Sequence, residues 1–191
     1  MKINRAVKFR IAASLAGALL LGSAFAAGVR EEAIGLDFPE RFGELKLKGR
    51  TQFPQANDGA VIAYEGKDVR GAVYVYDAGV KPIPAGVGSP AVAIQFLETG
   101  AALQRASTEG PVKAKVKPVK AKTISAFPGC GPQFLWRSDA IEMDGATMIT
   151  RTYLTGYNNR FVKLRVTHPR GSDGDAEQFV QDVRRLLGKC A

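Results

Sequence analysis

Asn158 and Asn159 stand between two runs of alternating side chains, and this constrains the chain more than any other feature. Thr147 to Thr155 is rich in Thr, Met, Ile, Tyr and Leu. Phe161 to Thr167 puts Val162, Leu164 and Val166 on one face. A period of two marks a half-buried strand, and Asn tolerates the positive φ that a tight hairpin requires. Strand, turn and strand together dictate antiparallel pairing. A strand opening at Phe134-Leu135-Trp136 and a turn at Asp144-Gly145 extend the pattern upstream.

The first half reads the same way. Residues 27–40 are a short lead-in. Phe42 to Phe53 alternates around Leu45 and Leu47, with Glu44, Lys46 and Lys48 opposite. Asn57-Asp58-Gly59 turns the chain into Val61–Tyr64, and Glu65 to Asp68 turns it into Ala72–Tyr76. In the latter, Tyr74 and Tyr76 oppose Val73 and Val75. If the valines meet one helix, the tyrosines meet the other layer or a pocket. The Pro/Gly-rich stretch Asp77 to Gly88 reads as a crossover loop.

Two helices are expected. Ser89-Pro90 supplies an N-cap and a first-turn proline. The helix behind it runs to about Ser107, with a broad apolar face from Val92, Ile94, Phe96, Leu97, Ala101 and Leu103; Gly100 signals a close approach or a weak point. The last helix carries Ala176, Phe179, Val180, Val183, Leu186 and Leu187 at helical spacing. Ser172 or Asp173 caps it and Gly188 suits a left-handed C′ position. Asp175 and Glu177 lie near its start and Arg184, Arg185 and Lys189 near its end, as the macrodipole favours. The fold expected is α+β, a mainly antiparallel sheet of about six to seven strands packed with two amphipathic helices.

Residues 1–26 read as a signal peptide. Lys2, Arg5, Lys8 and Arg10 form a basic start, Ile11 to Leu21 an apolar stretch, and Ala24-Phe25-Ala26 a small-x-small cleavage pattern. Cleavage near Ala26 would leave a periplasmic or secreted single domain, residues 27–191, with no transmembrane segment. It removes four of the 27 basic residues and none of the 18 acidic ones, so the charge falls from +9 to +5. Export separates such a protein from nucleic acid. A mildly basic exported domain suits an anionic envelope component, or a protein partner with an acidic face.

The chemistry on offer is narrow. One His and two Cys leave no multi-histidine or four-thiolate metal centre, and no nucleotide or cofactor fingerprint is present, so neither metal nor cofactor is expected. His168, at a strand end before Pro169, has no evident catalytic partner; a Cys130–His168 dyad is the alternative, and would make the protein a periplasmic hydrolase with a dispersed site. Cys130 and Cys190 are expected to form a disulfide in an oxidising compartment, pinning the terminal helix to the body. The tyrosines Tyr64, Tyr74, Tyr76, Tyr153 and Tyr157 are strand aromatics or the lining of a ligand groove. The most unusual stretch is Pro111 to Lys122, with Lys113, Lys115, Lys117, Lys120 and Lys122 and no acid. As an extended segment it sets Lys113, Lys115 and Lys117 on one exposed face, with Pro118 at an edge or strand end. Such lysines protect a sheet edge from pairing or present an anion-contact surface.

The segments LDFPERFGELKLKGRTQF, GAVYVYDAG and TRTYLTGYNNRFVKLRVTHP resemble an uncharacterised family of secreted proteobacterial proteins, over most of the mature chain. The order of elements is similar to the Mog1/PsbP-like sandwich. Neither resemblance brings a catalytic residue. The function expected is that of an exported binding or accessory protein without catalytic activity.

Overall fold

The structure, a computed structural model, describes residues 28–109, 114–125, 127–143 and 145–190. The expected signal peptide, residues 1–26, lies outside them. Ten strands and two helices follow in order: β1 (Val29–Glu31), β2 (Leu36–Phe38), β3 (Arg41–Phe42), β4 (Leu45–Gln52), β5 (Ala60–Glu65), β6 (Arg70–Tyr76), α1 (Pro90–Glu109), β7 (Lys115–Ile124), β8 (Leu135–Met143), β9 (Ala146–Tyr157), β10 (Arg160–Pro169) and α2 (Asp173–Gly188). Strands β1 and β2 form a small hairpin of their own. The other eight make one antiparallel sheet in the order β3-β4-β5-β6-β10-β9-β8-β7.

The α+β class and the two helices stand as expected, but the sheet has eight strands rather than six or seven. The excess lies at the start. The stretch from Phe42 to Phe53 is not one strand, because Gly43 turns with a φ of 53° and divides the two-residue β3 from β4. Val29–Glu31 and Leu36–Phe38, within the expected lead-in, pair with each other. Strands of two or three residues are too short to display a period.

The β9–β10 hairpin turns at Asn158 and Asn159, with φ values of 46° and 57°. Both central residues take the left-handed conformation that matches strand twist. The two strands then run ten residue pairs in unbroken register, from Arg160↔Tyr157 to Pro169↔Met148. Each face of the sheet buries its own apolar cluster. On one, Val73, Val75, Val162, Leu164 and Val166 meet Phe179, Val180 and Val183 of α2. On the other, Tyr76, Leu135, Leu154 and Phe161 meet Val92 and Phe96 of α1. Opposite parity along β6 thus sends valines and tyrosines to different layers.

The two helices differ in how fully they are used. Gly71 leaves space for the Phe179 ring; a Cβ there would lie 2.7 Å from its Cζ. The apolar stripe of α2 is buried as the spacing predicts, except for Leu186, which is half-buried. That of α1 is narrower than expected, since Ile94 and Leu97 are over 60% exposed and only Val92, Phe96, Thr99, Gly100 and Ser107 are buried. Ser89 caps α1 as read, its Oγ accepting the Val92 amide at 3.3 Å. Gly100 lets the Arg137 guanidinium pass beneath the helix.

At the end of α2, Gly188 is the last helical residue and Lys189 takes the left-handed conformation, with φ 50°. Gly188 is required for closeness instead: a Cβ would come 2.6 Å from Cys190 Sγ and 2.6 Å from Gly131 Cα. Ser172 precedes α2 without a side-chain capping bond. No helix among the described residues is long and apolar enough to cross a membrane.

Candidate functional site

Strand β7 is an outer strand of the sheet and, among the described residues, pairs with β8 alone. Proline at position 118 is accommodated because the outer side of an edge strand needs no donor. The pairing shifts on either side of Lys120, so the strand departs from strict alternation there. Lys115, Lys117 and Lys120 are exposed. Lys113 lies outside the described residues; Lys122 lies within β7, its side chain outside the described set.

The exposed lysines do not form one uniform cationic row. Lys117 Nζ donates to both oxygens of Glu142 on β8, at 2.9 and 3.2 Å. This ion pair holds the Glu142 carboxyl below its ordinary range, Lys117 acting first and Lys115 more weakly. Lys120 turns back over Trp136, its Nζ 4.9 Å from the ring centroid. Cation and ring face attract, so the charge of Lys120 is aimed inward along the sheet face.

That direction leads into a groove of about 540 Å³ between the β7 edge and α2. Its floor is an aromatic stack. Trp136 and Tyr153 lie 6.0 Å apart at 19°, and Tyr153 and Phe127 lie 6.1 Å apart at 29°. Register explains the stack: Trp136 of β8 and Tyr153 of β9 are direct cross-strand partners. Burial pushes the Tyr153 phenol above its ordinary pKa, against the opposing pull of Arg151. Arg151 sits on the groove wall and pairs with Glu177, at 3.1 Å, and with Asp173, both from α2. Ser125 and Ser138 add hydroxyls, although Ser125 Oγ is engaged by the Phe134 amide at 2.9 Å. The groove is therefore a flat aromatic surface with Lys120 on one rim and an ion-pair network on the other.

Sequence reasoning named Lys120 and Tyr153 but missed Trp136, Phe127 and Arg151. The available signal was parity: residues 136 and 138 share a face, and β9 folds back against β8.

The other expected residues lie elsewhere. Cys130 and Cys190 are bonded to each other, with Cα atoms 6.1 Å apart. The sulfur of Cys130 is thus not a thiolate. His168 is fully buried, and its Nδ1 lies 2.9 Å from the carbonyl oxygen of Pro169. The disulfide thereby leaves no Cys130 thiol for a dyad with His168. Tyr64 is a core residue on the α2 face, its hydroxyl donating to the Pro39 carbonyl at 2.7 Å. Among the described residues no group of His, Cys, Asp and Glu is arranged to hold a metal ion. Neither protein-family models nor curated protein sequences give a match to this chain.

Proposed function

We propose that the protein is an exported binding or accessory module of the periplasm, without catalytic activity, that docks on an anionic envelope component through β7 and the aromatic groove beside it. The observation that carries this reading is the juxtaposition of exposed Lys120 with the Trp136–Tyr153 stack, with exposed Lys115 further along the same edge strand. A cationic rim attracts an anionic group from a distance, and the aromatic floor provides contact area once it arrives. The Cys130–Cys190 bond suits an oxidising compartment, and the basic, apolar and small-residue order of residues 1–26 suits export to it. The resemblance to secreted proteobacterial proteins points the same way.

Retention on vesicles of mixed anionic and zwitterionic lipid tests the reading. Near an anionic surface each lysine is worth about 1 kcal/mol. The triple variant K115Q/K117Q/K120Q should therefore lose at least tenfold in retention, with a flatter salt dependence. The variant E142Q, which releases Lys117, should gain retention. Unchanged binding in both variants would leave the lysines as guards of the sheet edge and nothing more.

A further inference from the structure

On the opposite sheet face, β10 presents Lys163 and Arg165 side by side. Residues two apart on a strand share a face at a spacing of about 7 Å. Cross-strand partners surround them: Tyr74 and Ala72 on β6, Leu154 and Thr152 on β9. Both cations are half-buried, yet among the described residues neither has a carboxylate within ion-pair distance. Arg165 Nε is enclosed and has no hydrogen-bond acceptor. The neighbouring Arg137 shows the contrast, since its guanidinium is matched by fully buried Asp139, Nε to Oδ2 at 2.8 Å.

An enclosed donor with no acceptor is costly. Among the described residues Lys163 is held by ring faces, its Nζ 4.1 Å from the Tyr74 centroid and 5.3 Å from that of Tyr76. Two recesses open here, with Tyr74 as their shared wall. One, of about 450 Å³, is bordered by Arg165 and floored by Ala63, Gly71 and Ala72. The other, of about 290 Å³, is bordered by Lys163 and Gln95. The carboxylates at their margins are Glu65 and Asp58. Glu65 is engaged by Arg70 at 3.2 Å and by Lys48 at 3.6 Å. Small floor residues leave room for a flat body against an apolar surface, while a planar guanidinium beside an ammonium matches a planar, singly charged oxyanion.

We infer that the Lys163–Arg165 pair is a binding site for a small organic carboxylate, whose head lies between the two cations and whose apolar body rests on Ala63, Gly71, Ala72 and Tyr74. This site is on the other side of the sheet from the lysines of β7 and does not depend on their role. Its occupation has a proton signature. Burial, and secondarily the charge of Arg165, pushes the Lys163 ammonium down to about 8. The facing groups are Arg165, the phenols of Tyr74 and Tyr76, and Asp58 at the rim. A bound carboxylate restores the lysine's charge, so binding at pH 8.5 takes up a proton and binding at pH 6 does not.

Titration calorimetry with benzoate, benzamide and inorganic phosphate as probes, in two buffers of different ionisation enthalpy, decides the matter. Benzoate should bind with proton uptake at pH 8.5, and benzamide and phosphate each at least tenfold more weakly. R165Q should weaken benzoate at least tenfold. K163Q should weaken it and abolish the proton uptake, while K115Q/K120Q leaves it unchanged. Near-UV circular dichroism of the variants checks that they fold, and R165K, which keeps the charge but not the fork, supplies a milder test with a partial loss. Absence of benzoate binding at 10 mM, equivalent to about −2.7 kcal/mol, overturns the inference. So does benzamide or phosphate binding as tightly as benzoate, or equal binding by native protein and R165Q.

Discussion

Arg184 donates to the carbonyl of Gly129, 55 residues earlier, at 2.6 Å. Its other nitrogens reach the carbonyls of Pro128 at 2.9 Å and Pro132 at 3.1 Å, and its guanidinium lies over the Phe127 ring at 5.8 Å. An arginine near a helix C-terminus reads as a dipole partner on a solvated face. This one is 4% exposed and organises the loop that carries Cys130. Hydrogen bonds to a charged donor are worth about 1.5–3 kcal/mol net each. Arg184→Met should cost about 3 kcal/mol, since some freed carbonyls regain water. Arg184→Lys should recover little, because one ammonium cannot span the fork's acceptors. Urea denaturation midpoints measure both.

The disulfide and Arg184 fasten the same loop to the same helix. Denatured, unreduced protein should show no free thiol and run as a monomer on a non-reducing gel. The bond closes a loop with a sequence separation of 60, for which chain entropy gives about 4 kcal/mol. C130S/C190S should lose stability on that scale. Combined with R184M it should lose less than the sum, because loop and helix end will already have parted. Strict additivity would show that the two fastenings act independently.

Gly188 supplies a test of sign. Inside a helix, alanine exceeds glycine in propensity by about 1 kcal/mol. Here the added methyl would meet Cys190 Sγ and Gly131 Cα at 2.6 Å, and overpacking costs about 1–3 kcal/mol. Gly188→Ala should therefore destabilise the protein. A raised melting temperature would show that loop and helix are not in contact.

Lys163 makes stability depend on alkaline pH. Its folded pKa, about 8, lies below the ordinary 10.5. Between those values the unfolded chain binds more protons than the folded one, so stability rises with pH through that window. The gain is complete above the unfolded value and absent below the folded one, with a ceiling of about 3 kcal/mol. The phenols act in the opposite sense. Burial raises Tyr76 to about 12 and raises Tyr64 and Tyr153 as well, so their ionisation in the unfolded chain reduces stability as pH passes 10. Chemical denaturation from pH 7 to 10 should show the native protein gaining on Lys163→Met, with the two slopes differing most between pH 8 and 10.

What the sequence disclosed tracks the length and parity of its patterns. The Asn158-Asn159 hairpin, the stripe of α2 and the split of Tyr74 and Tyr76 from Val73 and Val75 follow from spacing alone, because one residue of slip would invert each face. Strands β1, β2 and β3 escape because two or three residues cannot show a period. Lys163 and Arg165 escape for a different reason. Between Val162, Leu164 and Val166 they have the parity of an ordinary wet face, and only the neighbouring Tyr74 and α1 make that face half-dry. Lys117 shows the converse: its alternation is real, but a partner on the next strand, Glu142, takes up its charge.

The order of strands has a kinetic consequence. From β3 to β6, and again from β7 to β10, each strand pairs with the one before it in the chain, so both meanders close by short loops at low entropic cost. Among the described residues one ladder unites them, residues 70–76 of β6 against 161–167 of β10, with α1 and three strands intervening in sequence. Folding should thus proceed as two locally assembling halves followed by a slower docking at that seam. Amides of the β9–β10 hairpin should gain protection from exchange before those of the β6–β10 ladder, and α2, which touches β2, β3, β6 and β10, should settle last, when the surface it covers first exists.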